Sequence, residues 1–174
     1  ENYNEATTTI QVVINKAYVA LPTVEPTTYG NTLADVKLPT SEFGTWTWKA
    51  GNSTSVGTAG THTFVAVFES SSGNYEDYET NVNVVVNKKV LTIDILNSTY
   101  TYDGNAHTVE FKVTGVVEGD NNPVVNGNQS LTDAGSVNVT LTINTPNYEA
   151  TQSCVLTIEP KIEEFPELLE VECD

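Results

Sequence analysis

The chain has 174 residues, with 23 Asp and Glu against seven Lys, no Arg and no Met, for a formal net charge of -16 at pH 7. Lysines scattered among that many carboxylates exclude a nucleic-acid partner, because phosphate contacts need clustered Lys and Arg. No apolar run approaches the roughly 20 residues that span a bilayer, so no membrane span is expected in this segment, and any leader or anchor is expected outside it.

The apolar residues fall in short runs rich in Val, Ile, Tyr and Thr, which favour strands and predict an all-β chain. The first feature in chain order is Asn2-Tyr3-Asn4-Glu5 through Ile10-Gln11-Val12-Val13-Ile14-Asn15-Lys16. It returns as Asn74-Tyr75-Glu76-Asp77 through Val82-Asn83-Val84-Val85-Val86-Asn87-Lys88, and again as Asn147-Tyr148-Glu149-Ala150 through Val155-Leu156-Thr157-Ile158-Glu159-Pro160-Lys161. Tyr3 to Tyr75 is 72 residues and Tyr75 to Tyr148 is 73. One unit length therefore governs the chain: a β module over 16–88, a second over 89–161, and at 1–15 the closing strand of a preceding repeat. Domains this small bury only about 60% of their unfolded surface, which makes neighbouring repeats of the same polypeptide the expected partners. Set in register, Ile10, Val12 and Ile14 match Val82, Val84 and Val86 and then Cys154, Leu156 and Ile158, all on an inward face. Residues 1–15 cannot bury their apolar side chains alone, so they are expected to dock on another sheet or to remain an edge open to pairing.

The first module opens with Ala17-Tyr18-Val19-Ala20-Leu21 and turns through Pro22 and Pro26. Gly30-Asn31 is a turn signal, since both residues tolerate positive φ. Gly44-Thr45-Trp46-Thr47-Trp48 alternates strictly, so both tryptophans share a face. Asn52 to Gly60 reads as a polar loop, and Thr61 to Glu69 is the longest strand candidate, with Phe64, Ala66 and Phe68 opposite the tryptophans. Tyr75 stands where sandwich domains place a corner tyrosine whose hydroxyl ties down backbone.

The second module opens with Lys89-Val90-Leu91-Thr92-Ile93-Asp94-Ile95, placing Leu91, Ile93 and Ile95 on one face. Tyr102 answers Tyr29 at a distance of 73. Val109 to Val113 alternates, Gly115 to Asn128 is mostly loop, and Val137 to Ile143 answers the strand of Phe64. From residue 162 to 174 the composition turns acidic around Phe165, Leu168, Leu169 and Val171, as a tail or the start of a further repeat. Cys154 is expected to face inward; it and Cys173 are the only thiols, and whether they pair is open from sequence.

The run Thr28-Tyr29-Gly30, Gly44-Thr45-Trp46-Thr47-Trp48, Gly57-Thr58, Gly60-Thr61-His62-Thr63, Asn74-Tyr75 and Val82 to Lys88 resembles the tandem MBG-type repeats of bacterial surface proteins. Thr101-Tyr102-Asp103-Gly104, Asp133-Ala134-Gly135 and Asn147-Tyr148 resemble the related YDG-type variant. The likeness covers about residues 16–161. It implies two tandem small immunoglobulin-like β-sandwich modules, with a mostly-β grasp-like fold as the alternative. It also implies an adhesin-like stalk or spacer outside a bacterial cell, on its surface or wall, with no catalytic residues and no cofactor.

The residues offer little chemistry beside this. His62 and His107 are the only imidazoles, in different modules and without a nucleophile motif, so no enzyme is expected. Calcium would have to use Glu118-Gly119-Asp120-Asn121-Asn122 or Glu76-Asp77 with Glu79; neither has the spacing of a calcium loop, and a solvated acidic loop explains both. Trp46 and Trp48 are the candidate ligand platform, because exposed aromatic faces stack on sugar rings. The competing reading places them in the core, where each buries about 150–250 Å². A host or matrix glycan or protein is the partner implied by the platform reading.

Overall fold

The computed structural model describes residues 3–162. The predicted acidic tail from 163 onward, Cys173 within it, and residues 1 and 2 lie outside the described residues. About 48% of the chain is strand, and no α-helix forms among the described residues. The chain divides into two compact units between Asn87 and Lys88.

Unit 1 contains β1 (Thr27–Thr28), β2 (Gly44–Trp48), β3 (Gly60–Ser70) and β4 (Tyr78–Asn87) in one sheet of order β1-β4-β3-β2. The β3–β4 pair is antiparallel, with Phe64 opposite Val82, His62 opposite Val84 and Gly60 opposite Val86. β2 runs antiparallel to β3, setting Trp46 against Phe68 and Trp48 against Ala66. β1 joins the far side of β4 in parallel. A single 3₁₀ turn over Leu33–Asp35 starts at Thr32, whose backbone N–H donates to Asp35 Oδ2 at 2.9 Å, and it drives Leu33 into the core. The alternation of β2, β3 and β4 sends Trp46, Trp48, Ala66, Phe68, Val82, Val84 and Val86 to one buried cluster. Val56, from the loop predicted to be polar, completes it with no exposed surface.

Residues 17–26 enter beside β4 as irregular chain. Ala17 bridges Tyr75 in parallel, and the chain regains pairing only at Thr27. Upstream of Ala17, the strand expected over 1–15 pairs with nothing among the described residues. Ile10, Val12 and Ile14 are exposed. The place beside β3 that the matching residues 82–86 take is held by β4.

Unit 2 contains β5 (Lys89–Val90), β6 (Thr92–Asn97), β7 (Thr99–Thr101), β8 (His107–Thr108), β9 (Glu110–Thr114), β10 (Ser130–Leu131), β11 (Gly135–Asn144) and β12 (Tyr148–Glu159). β11 and β12 form the long antiparallel hairpin, with Val139 opposite Cys154 and Gly135 opposite Ile158. β5 and β7 both run parallel to β12, at its two ends. Between them the chain leaves β12 and β6 pairs antiparallel with β9, with a register shift between Ile95 and Asn97. β8 pairs β10 antiparallel. Leu91, Ile93, Val109, Val139, Leu141, Ile143, Leu156 and Ile158 are buried. Cys154 shares the face of Leu156 and is half-buried.

The units differ at one edge. Where unit 1 lays β2 along β3, unit 2 has only an isolated bridge from Asn126 to Thr142 of β11. The backbone comes so close there that a Cβ on Gly127 would collide with the carbonyl of Thr140.

Candidate functional site

The two tryptophans of the predicted platform are 8% and 6% exposed. Trp46 tilts against Phe68 at 5.1 Å and meets Tyr78 edge-on at 5.5 Å, while Trp48 meets Phe64 at 6.2 Å. Trp48 Nε1 donates to the carbonyl of Val36 at 3.0 Å, so its one polar atom is satisfied internally. This corrects the platform reading. Strand alternation put both indoles on the inner face of an edge strand, and residues 33–38 close over them.

The exposed aromatics lie elsewhere in unit 1. A groove of about 620 Å³ separates residues 17–23 from residues 39–43, with Trp46 and Tyr75 among its lining side chains. Phe43 stacks on Tyr75 with ring centroids 4.4 Å apart and planes 20° from parallel. Tyr18, largely exposed, presents its ring edge-on to Tyr78 at 5.2 Å. Sequence reasoning missed this grouping because Tyr18 and Phe43 stand on irregular chain, where no periodicity assigns a face. The expected corner tyrosine is also displaced: the hydroxyl that ties down backbone in unit 1 belongs to Tyr78, which donates to the carbonyl of Val19. In unit 2 it belongs to Tyr148, whose hydroxyl accepts from the Val117 N–H at 3.0 Å and donates to Asp120 Oδ2 at 2.5 Å.

Three of the calcium candidates, Asp77, Glu79 and Asp120, carry such bonds. Asp77 Oδ1 accepts the Ser70 N–H at 2.6 Å, and Glu79 pairs with Lys49 at 2.6 Å. Asp120 is engaged by Tyr148. Among the described residues no three His, Cys, Asp or Glu side chains converge as a metal site.

Each imidazole has a local structural partner. His62 Nε2 lies 2.7 Å from the carbonyl of Thr58, which fixes the proton on that nitrogen because a carbonyl can only accept. His107 Nε2 lies 2.9 Å from Asp103 Oδ1 and its ring stacks on Tyr100 at 4.2 Å. Asp103 sits in the turn Tyr102-Asp103-Gly104-Asn105, with Gly104 at φ 81°. Its carboxylate accepts the Asn105 N–H at 2.9 Å and the Asn105 side-chain amide at 3.1 Å as well as His107. These bonds, led by the Asn105 backbone, hold its pKa down to about 2. Burial, then the nearby Glu110 charge, push the Tyr100 hydroxyl upward. An Asp–His pair needs a nucleophile within reach to become catalytic. Here its partners are the turn backbone and the ring of Tyr100, whose hydroxyl donates to the carbonyl of Thr108 at 2.9 Å, so the cluster locks a turn. No protein-family model, curated protein or solved structure matches the chain.

Proposed function

We propose that the chain is a pair of tandem immunoglobulin-like β-sandwich modules of the MBG/YDG kind, serving as a non-catalytic stalk of an adhesin-like protein exported to the surface of a bacterium. The observation that carries this reading is the recurrence of one strand arrangement. β3 and β4 repeat as β11 and β12, with Gly60 opposite Val86 and Gly135 opposite Ile158. A short parallel strand then caps the outer side of the closing strand in each unit, Thr27 on Val86 and Tyr100 on Ile158. In unit 1, β2 lies antiparallel along β3 beside that hairpin, as strand C lies beside the F–G hairpin of immunoglobulin-like domains.

The same arrangement suits a load-bearing spacer. The entering and leaving segments of each unit run parallel and side by side, so force on the two ends slides them past each other and loads their hydrogen bonds together. Single-molecule pulling on the chain tests this. Two unfolding events are expected, each releasing about 240–260 Å of contour for a 72-residue unit at 3.3–3.6 Å per residue. Smooth extension without such events would sink the spacer reading.

An adhesive role is the second reading, favoured by the exposed ring of Tyr18 and the Phe43–Tyr75 stack beside the groove. It predicts saturable binding on a glycan array that Tyr18→Ala removes without unfolding unit 1. Absence of saturable binding decides against it.

A further inference from the structure

One strand sequence occurs three times in this chain with two different outcomes. The second and third copies form β4 and β12, which lie inside their sheets with partners on both sides. Their alternate apolar residues are core: Val82, Val84 and Val86 in one, Leu156 and Ile158 in the other. The first copy has the same alternation and none of the pairing. Ile10, Val12 and Ile14 are 80%, 80% and 91% exposed.

We infer that residues 3–15 are a donated closing strand, and that their partner is a β unit of this same repeat whose β3-type strand has no closing strand of its own. The register specifies the contact. In unit 1 the closing strand sets Val82, Val84 and Val86 opposite Phe64, His62 and Gly60. Unit 2 does the same with Cys154, Leu156 and Ile158 opposite Val139, Val137 and Gly135. Both agree on a bulky apolar residue opposite the first inward position and on glycine opposite the last. Shifted by the 72-residue repeat, Ile10, Val12 and Ile14 take those three places, with their side chains in the partner's core. Within this chain the position is filled twice, by β4 and by β12, which leaves the first copy unpaired.

Charge fits the same partner. Residues 6–15 contain no ionisable side chain in a protein of net charge -16, so the segment meets an acidic unit of its own kind without repulsion. An uncharged, alternating, unpaired segment of this length is suited to strand addition, in which main-chain bonds supply affinity and alternate side chains supply specificity.

The inference rests on the repeat reading above for the partner's identity. Its test is strand closure, so a folded product stands whether or not the modules bear load or bind a glycan. Residues 16–73 are placed a second time directly before Asn2, giving an added unit 1 that lacks only its closing strand. Position 6 is Ala where β4 has Tyr78, whose ring packs on Trp46, so this graft carries Ala6→Tyr. The expected result is a third folded unit: the added tryptophans emit as buried indoles, the added segment resists protease, and Val12→Asp in the graft unfolds that unit alone. A control with residues 16–88 placed before Asn2 carries its own closing strand and folds. A folded control beside an unfolded graft overturns the inference. So does a concentration-dependent dimer of the unaltered chain that Val12→Asp abolishes, because that result makes a second copy the partner.

Discussion

The Tyr78 hydroxyl donates to the backbone carbonyl of Val19 at 2.9 Å, across 59 residues of sequence. Its ring lies between Tyr18 and Trp46, so one side chain on β4 fastens the irregular segment 17–23 to the core. That segment has only the Ala17–Tyr75 bridge before Thr27, and the tyrosine supplies what strand pairing does not.

Tyr78→Phe keeps the ring and deletes the bond, and unit 1 should lose about 0.5–1.5 kcal/mol. Hydrogen exchange should quicken in the 17–23 backbone before it quickens in β3. Burial, followed by the nearby Tyr18, pushes the Tyr78 hydroxyl above its ordinary value. The bond's contribution is therefore full below the unfolded tyrosine pKa near 10 and is lost as pH rises through the folded value. Alkaline denaturation of Tyr78→Phe should begin no earlier than that of the parent, relative to each protein's stability at pH 7; an earlier onset would contradict the assignment.

Equivalent sequence positions should respond unequally to truncation. Leu156 on β12 is fully buried, and Leu156→Ala should cost about 2–5 kcal/mol through lost transfer energy and a residual cavity. Ile14 has the same place in the repeat but is 91% exposed, and Ile14→Ala should change stability by no more than about 0.5 kcal/mol. Urea titrations of the two variants settle this; a large loss at Ile14 would mean that the segment packs within the chain.

Strand-borne residues were legible in the sequence because period-two alternation assigns a face. Trp46, Phe68, Val84 and Leu141 are buried where alternation puts them. Val56 was not legible: it is a lone apolar residue in a Gly, Ser and Thr loop, with no neighbour to set a period, yet it is wholly buried. Repeat arithmetic found the closing strands but misplaced the anchoring tyrosine of unit 1. Tyr75 and Tyr148 align by sequence, whereas their strands differ by one residue before the core. Val82 pairs into β3 seven positions after Tyr75, and Cys154 pairs into β11 six positions after Tyr148. Tyr148 is consequently buried, while Tyr75 stays at the groove beside Phe43.

Gly127 should tolerate no side chain. It has φ 88°, a region costing about 1–3 kcal/mol for most L-residues, and its missing Cβ leaves room for the Thr140 carbonyl. Gly127→Ala should therefore lower unit 2 stability beyond the strain alone, with amide shifts centred on Asn126 and Thr142. Gly104→Ala has similar strain, φ 81°, but open space around it, so it isolates the conformational part. Equal losses in the two variants would show that the close approach carries no energy.

Asp103 gives unit 2 an acid-sensitive turn. Its carboxylate, held at about 2 against an ordinary 3.8 by Asn105 and His107, binds its proton less readily when folded than when unfolded. The stabilisation from those bonds is full above the unfolded value and disappears as pH falls from about 4 to about 2. The carboxyl carbon of Asp103, followed by NMR, should titrate near the lower figure in the parent. Asp103→Asn keeps a turn-forming side chain and removes the charge, so it should flatten the stability profile of unit 2 across that interval. His107→Ala removes only one of the three donors and should raise the Asp103 midpoint part of the way towards its ordinary value, since the Asn105 backbone bond is the larger cause. A parent midpoint near 3.8 would show that the turn is held by glycine geometry alone.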